Sequence, residues 1–275
     1  MSYKINSLFT SDNVIASYEK RLSICLLSNG FSFSVTTNND VLVTFGEIEC
    51  STKVPMSEFL GTVKTVFAEV DIQPYGMKES ELIVMSNRFV WVPQHLYDSA
   101  NDRTYFETLY KIPSGMTLFS DYNDSVKANI VFAADTTLVS AFKIAIPGLK
   151  VRCQHGKLAN NSIMDCSDNS SVLAINIREE ETDYVVFCNK KLQISNSFYC
   201  ANSDETLYHA LALTKQFHLE DAAMTVMVCG NIDRDTFAKM RQFLPNMKLY
   251  AGRQLSFGKP EMQQLPLYKY ALMFS

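Results

Sequence analysis

One arrangement of apolar segments occurs twice along the chain, and that repeat restricts the fold more than any other feature. Leu22–Leu27, Phe31–Val35 and Val41–Phe45 read as three consecutive strands, and Pro55–Val70 follows as a helix. About 150 residues further on, Val172–Ile177, Tyr184–Cys188 and Leu192–Cys200 repeat the strands, and Asp204–Leu219 repeats the helix. Phe31-Ser-Phe-Ser-Val35 alternates apolar and polar residues, as a half-buried strand does. In the first helix Met56, Phe59, Leu60, Val63, Val66, Phe67 and Val70 keep helical spacing along one face, behind a proline suited to a first helical position. In the second, Ser203 reads as the cap, with Asp204 and Glu205 placing negative charge in the first turn.

After each helix comes another strand, Glu81–Ser86 in one half and Thr225–Cys229 in the other. A further unit also recurs: Asn129–Ala134, Asp135–Ile146, Pro147 and Leu149–Cys153 match Thr225–Gly230, Asp233–Leu244, Pro245 and Met247–Ala251. Short hairpins force the first three strands of each copy to be antiparallel, whereas strand–helix–strand units favour parallel crossovers. The expected fold is α/β with mixed sheets in two lobes, 1–168 and 169–275, divided within the Asn-, Ser- and Asp-rich stretch Asn160–Ser171. Pro93–Tyr110 reads as an additional helix and Thr117–Asp124 as an additional strand and turn, so 93–124 is either an insertion or part of the first lobe. The first 21 residues read as a leading strand or a loose arm.

Composition narrows the class. Of 275 residues 47% are hydrophobic and 20% charged, enough for a substantial core and far from a disordered chain. Net charge is −4 and the longest basic run is Lys190-Lys191, which argues against nucleic acid as a partner. The N-terminus lacks the apolar core of a signal peptide, and apolar runs such as Ile130–Ala134 are far too short to span a membrane. Seven cysteines show no Cys-x-x-Cys pair and sit mostly in apolar strand contexts, as reduced, buried thiols do. These features together predict a cytoplasmic protein without membrane insertion.

The doubled order strand–strand–strand–helix–strand–helix resembles the actin-like ATPase, or ribonuclease H-like, fold. Taken whole, the sequence resembles an uncharacterised bacterial family of unknown function with that architecture. The likeness is carried by Leu22–Phe45 and its helix, by Val90-Trp91-Val92-Pro93, and by Val172–Cys229. More distantly the chain is similar to the actin-fold cytoplasmic platform proteins of pilus and secretion machines. The resemblance implies a nucleotide cleft between lobes. It also implies ATP with Mg²⁺, held by an acid at the end of the first strand of each copy and by glycine-rich turns.

Those residues are missing. Ser28 and Asn29 stand where the first acid belongs, with only Gly30 beside them. In the second copy Asn176 and Arg178 take that place, and Glu179-Glu180-Glu181 would repel a polyphosphate. The adenosine turn could only be Cys229-Gly230-Asn231, with one glycine of a usual pair. Ten glycines in all is about half the usual ~7%. No two lie closer than Gly252 and Gly258, which excludes Gly-x-Gly-x-x-Gly and Walker loops. His95, His155, His209 and His218 show no metal-binding spacing and read as solvated or capping residues. Glu179–Glu181 with Asp183 reads as a solvated hairpin tip, Trp91 as core, and Asp165-Cys166-Ser167-Asp168 as an ordinary turn.

The expectation is a non-catalytic protein that works through an unidentified protein partner, with no cofactor and a homodimer left open. Ser28, Asn29, Gly30, Asn176, Arg178 and Gly230 then mark a vestigial nucleotide cleft. The alternative is a nucleotide-binding protein or weak phosphotransferase that uses those same residues with ATP and Mg²⁺. If the cleft is silent, partner surfaces are sought in Pro93–Asp124 and in the aromatic tail Leu255–Ser275, although the tail can also pack on its own chain.

Overall fold

The structure is a computed structural model that describes residues 3–11, 19–219, 224–244 and 246–275. These residues divide into two compact units. The first takes the described residues up to Tyr122 together with Asn129–Gln154 and Gln254–Leu265. The second takes Asn123–Ala128, the described residues within His155–Arg253, and Pro266–Ser275.

Unit 1 opens with β1 (Tyr3–Thr10), β2 (Lys20–Leu27), β3 (Gly30–Thr37), β4 (Val41–Cys50) and α1 (Met56–Glu69). It continues through β5 (Met77–Val84), β6 (Phe89–Pro93), α2 (Asp102–Glu107), β7 (Met116–Asn123), β8 (Ala128–Asp135), α3 (Thr136–Ala145) and β9 (Lys150–Cys153). Its main sheet runs β1-β4-β3-β2-β5-β9. The hairpins β2–β3–β4 are antiparallel, and the helix-linked strands β5 and β9 join in parallel. Helix α1 buries Phe59, Val63, Val66 and Phe67, residues one turn apart, on the sheet. Phe31, Phe59 and Phe142 meet edge to face, with ring centroids 5.3 to 6.1 Å apart, and tie β3, α1 and α3 into one core.

Unit 2 contains α4 (Gln154–Met164), β10 (Ser171–Ile177), β11 (Glu181–Cys188), β12 (Lys191–Tyr199), α5 (Ser203–Gln216), β13 (Met224–Gly230), α6 (Arg234–Phe243) and β14 (Met247–Leu249). The first residue of α4, Gln154, is grouped with unit 1. The sheet order β12-β11-β10-β13-β14 repeats β4-β3-β2-β5-β9, again with antiparallel hairpins and parallel crossovers. The helices after the inner strands begin alike: Asp135 accepts from the Leu138 N–H at 2.9 Å in α3, and Asp233 from the Thr236 N–H at 2.7 Å in α6. For α5 the cap is Asn202, not Ser203; its Oδ1 accepts from the N–H groups of Asp204 and Glu205.

Strands β6, β8 and β7 form a separate three-stranded sheet. The sheet position of β13 is matched by β5, so Asn129–Ala134 is not the counterpart of Thr225–Gly230; the recurrence is carried by the helix and strand that follow. Strand β8 reads as a continuous apolar run because both its faces are covered. Ile130, Phe132 and Ala134 join the main core, while Val131 and Ala133 pack with Val92 and with Phe106 of α2. The helix expected over Pro93–Tyr110 is confined to Asp102–Glu107, since Pro93 ends β6 and two short 3₁₀ turns intervene. The leading segment forms β1 on β4, and residues 12–18 lie outside those described, as does Pro245. Asn160–Met164, expected within a boundary loop, is the last part of α4.

The tail is spent inside the protein. Strand β15 (Ser256–Phe257) pairs in parallel with β4 in unit 1. In unit 2, Tyr270–Phe274 is buried, Arg253 N–H donates to the Phe274 carbonyl at 2.9 Å, and Lys157 Nζ to the Ser275 carbonyl at 3.2 Å.

Candidate functional site

The residues with the most unusual chemistry gather in unit 2, in one row across its sheet. Strand register sets Cys229 beside Asn176, Asn176 opposite Asp183, and Asp183 opposite Ser197. Neighbours across a sheet point to one face, so four strands deliver four polar side chains to one place. Asp183 is fully buried. Its Oδ2 accepts from Asn176 Nδ2 at 2.9 Å, and its Oδ1 from Ser197 Oγ at 2.6 Å and Arg178 Nη2 at 2.8 Å. Arg178 also reaches Glu181 Oε2 through Nη1 at 2.8 Å.

From the start of α4, the fully buried His155 enters the same cluster. Its Nε2 lies 2.8 Å from Ser197 Oγ and 3.4 Å from Asp183 Oδ1, and its Nδ1 lies 2.9 Å from Ser195 Oγ. Burial alone would raise the Asp183 carboxyl. The His155 ring and the Arg178 guanidinium, with hydrogen bonds from His155 and Ser197, outweigh it and hold the group below the usual carboxylate range. Burial, and next the Asp183 charge, push the Cys229 thiol up, so this is an unreactive thiol.

Backbone bonds fix which turns correspond. Cys50 N–H donates to the Asn29 carbonyl and Cys200 N–H to the Glu180 carbonyl, both at 2.9 Å. Ser28-Asn29 is therefore matched by Glu179-Glu180. Arg178 falls at the position of Leu27, and Asn176 lies within a strand at the position of Cys25. Of the residues singled out from sequence, Asn176, Arg178 and Gly230 come together. A Cβ on Gly230 would stand 2.8 Å from Asn176 Oδ1.

Both glycines serve backbone packing. Gly30 has φ +149°, and a Cβ there would fall 2.0 Å from the Ile48 carbonyl oxygen. Gly230 has φ +88°, and its Cβ would fall 2.1 Å from the Ile177 carbonyl oxygen. In the unit 1 turn the Ser28 carbonyl accepts from Thr52 Oγ1 at 3.0 Å. Ser28 and Asn29 line an open concavity of about 490 Å³ with Tyr3, Lys4, Glu49 and Lys53. Among the described residues no group of three or more His, Cys, Asp and Glu is placed to hold a metal ion.

Two readings from sequence need correction. Asp183 is the buried centre of the cluster and not part of a solvated hairpin tip; only Glu179 and Glu180 are exposed there. His155 is enclosed, not solvated or capping. Nothing local flagged His155, whose partners lie some forty residues away.

A family model described as protein of unknown function (DUF3822) matches residues 10–247. The chain belongs to that family. No curated protein matches it significantly. Among solved structures, the chain is similar to a protein of unknown function with an actin-like ATPase fold from Bacteroides thetaiotaomicron VPI-5482. It is 20% identical with a TM-score of 0.73, and the match covers 94% of this chain and 97% of that one. The PilM–PilN type IV pilus biogenesis complex also matches, at 11% identity and a TM-score of 0.59, over 92% of this chain and 96% of that chain. This DUF3822 protein has the actin-like ATPase fold.

Proposed function

We propose that this protein is a non-catalytic member of the actin-fold class that acts by holding a protein partner, its nucleotide site having been lost. One observation carries the reading. The one buried carboxylate of the cluster beside the second turn, Asp183, is committed to Arg178, Asn176 and Ser197. Removing those partners to admit a metal-bound triphosphate would leave a buried charge uncompensated. Gly30 in the first turn and Gly230 at the end of β13 are likewise packed against neighbouring backbone. These residues do not fit ATP with Mg²⁺.

Several features support a protein as the partner. The similar PilM structure is a complex with PilN. Net charge is −4, which disfavours nucleic acid. No helix among the described residues is long and apolar enough to cross a membrane. Seven cysteines, none in a disulfide, fit a reducing, cytoplasmic setting.

The test is phosphate release from ATP with Mg²⁺ and with Mn²⁺, paired with thermal unfolding. Turnover is expected to stay at background, with no stabilisation where a ligand at a hundred times its Kd would add about 2.7 kcal/mol. Turnover that disappears on changing Asn29 or Asn176 would establish the phosphotransferase reading instead. Stabilisation without turnover would establish a nucleotide-binding protein instead of a silent cleft.

A further inference from the structure

The duplication supplies a template for one surface. In unit 1, β4 is covered by β1, which pairs with it antiparallel from Tyr3 opposite Cys50 to Thr10 opposite Thr44. The counterpart of β4 in unit 2 is β12, and among the described residues nothing pairs with its outer side.

Which backbone groups are open follows from the ladder. Cys200 N–H donates inward to Glu180. Hydrogen-bonded pairs alternate along an antiparallel ladder, so Phe198 and Asn196 also face inward, and Ser195, Ser197 and Tyr199 turn their N–H and C=O groups outward. Among the described residues Ser197 N–H is met by the side chain of its own neighbour, Asn196 Oδ1, at 3.0 Å, an acceptor that an incoming carbonyl can replace. In unit 1 the matching outward positions are Phe45, Glu47 and Glu49, and β1 sits opposite all three, through Phe9, Ser7 and Lys4.

Protein edges are normally guarded by charge, proline or a bulge. Here Lys191 and the register shift at Gln193 guard only the beginning of the strand. Ile194–Tyr199 contains no charge and no proline. The segment is also held in shape, since Ser195 and Ser197 are tied to His155 and Asp183, so little order need be gained on binding. Beside it lies an aromatic ledge. Phe198 stacks on His209 with centroids 4.3 Å apart, Tyr208 meets His209 at 5.3 Å and is 67% exposed, and Tyr199, on the opposite face of the strand, is 64% exposed. In unit 1, Tyr3 and Leu8 of β1 pack on the equivalent core.

We propose that β12 receives an extended segment of a partner protein, added antiparallel at Ser195–Tyr199, with apolar or aromatic side chains at alternate positions lying on the Phe198–His209–Tyr208 ledge. The proposal deepens the partner-binding reading and rests on it. The occupant is taken to be a peptide segment because an eight-residue strand from outside the repeat fills the matching edge of unit 1.

The test uses the full chain, a displayed library of random twelve-residue peptides, and amide hydrogen exchange. In the free protein the Ser195 and Tyr199 amides are expected to exchange about a hundredfold faster than those of Asn196 and Phe198. Selected peptides should protect Ser195, Ser197 and Tyr199. Asn196→Lys and Tyr199→Lys, both checked for unchanged melting, should weaken binding at least about tenfold. Absence of enriched peptides, or enriched peptides that protect other segments, overturns the proposal. Protection of the three amides that rises with protein concentration and no peptide would make the occupant a second copy, and overturns it also. ATP turnover would defeat the non-catalytic reading while leaving these amide results standing, so the two failures are separable.

Discussion

The same sheet row is built from opposite chemistry in the two units. In unit 1 it runs Ile83, Cys25, Ser32 and Glu47; in unit 2 it runs Cys229, Asn176, Asp183 and Ser197. Ile83, Cys25 and Ser32 are small or apolar and buried, and the row's only acid is at its rim. Unit 2 places its acid in the middle, where burial demands counter-charge; Arg178 supplies it from outside the row, and the His155 ring lies 3.4 Å from the carboxylate. The edges differ in step. Unit 1 covers β4 with its own β1, whereas in unit 2 no described strand pairs with the outer side of β12, which is fastened from behind by His155 and Asp183. The comparison teaches that a repeated backbone constrains neither charge nor coverage, and that the half with the costly buried network is the half with the free edge.

Truncation should strike the two units unequally, and it is the largest effect expected. Ending the chain at Leu265 keeps β15 on unit 1 but strips Leu272, Met273 and Phe274 from unit 2. Each such side chain contributes about 1.5–3 kcal/mol by burial, against a total stability of about 5–15 kcal/mol. Limited proteolysis should then cut first within 155–253, and thermal unfolding should lose its cooperative step. An unchanged melting temperature would mean that the tail packs loosely and would break the comparison at its strongest point.

Next comes the row itself. Asp183→Ala takes the shared acceptor from Asn176, Ser197 and the part-buried Arg178 and should cost about 3 kcal/mol or more. Ser32→Ala at the matching position should cost about 1 kcal/mol or less. Urea unfolding of both variants measures the contrast, and equal losses would show that the charged row is no more demanding than the neutral one. A smaller contrast is expected in the turns. Gly30→Ala drives a Cβ against the Ile48 carbonyl at positive φ and should cost about 2 kcal/mol or more. Glu181→Gly at the equivalent position should cost under about 1 kcal/mol.

Element order was legible from sequence because apolar periodicity reports burial directly. The repeated hairpins and α1 appear close to where the pattern puts them. The three-stranded sheet was not legible, since β8 has two covered faces and such a run does not say which sheet it joins. Half of the candidate residues converge because Asn176, Arg178 and Gly230 lie at or near the ends of the paired strands β10 and β13. Ser28, Asn29 and Gly30 belong to the other unit and follow their own packing. The centre of the cluster was hidden for a different reason. Asp183 shares a charged run with Glu179–Glu181, and only strand register separates a solvated acid from a buried one.

The smallest effect expected is also the most specific to unit 2. Asp183 is held below the usual carboxylate range in the folded protein, against about 3.9 in an unfolded chain. Its contribution is therefore complete above the unfolded value. As pH falls below about 4, the unfolded chain takes up a proton that the folded one refuses, and stability drops. Other acids add their own slopes, so the informative quantity is the difference between wild type and Asp183→Asn, which keeps the shape and removes the titration. The unfolding midpoint should fall more steeply from pH 5 to pH 3 in wild type than in the variant. Ser32→Ala in unit 1 should leave the slope alone, because nothing at that position titrates. Identical slopes for wild type and Asp183→Asn would show that the carboxylate is not held by His155 and Arg178, and the contrast between the two rows would reduce to one of size alone.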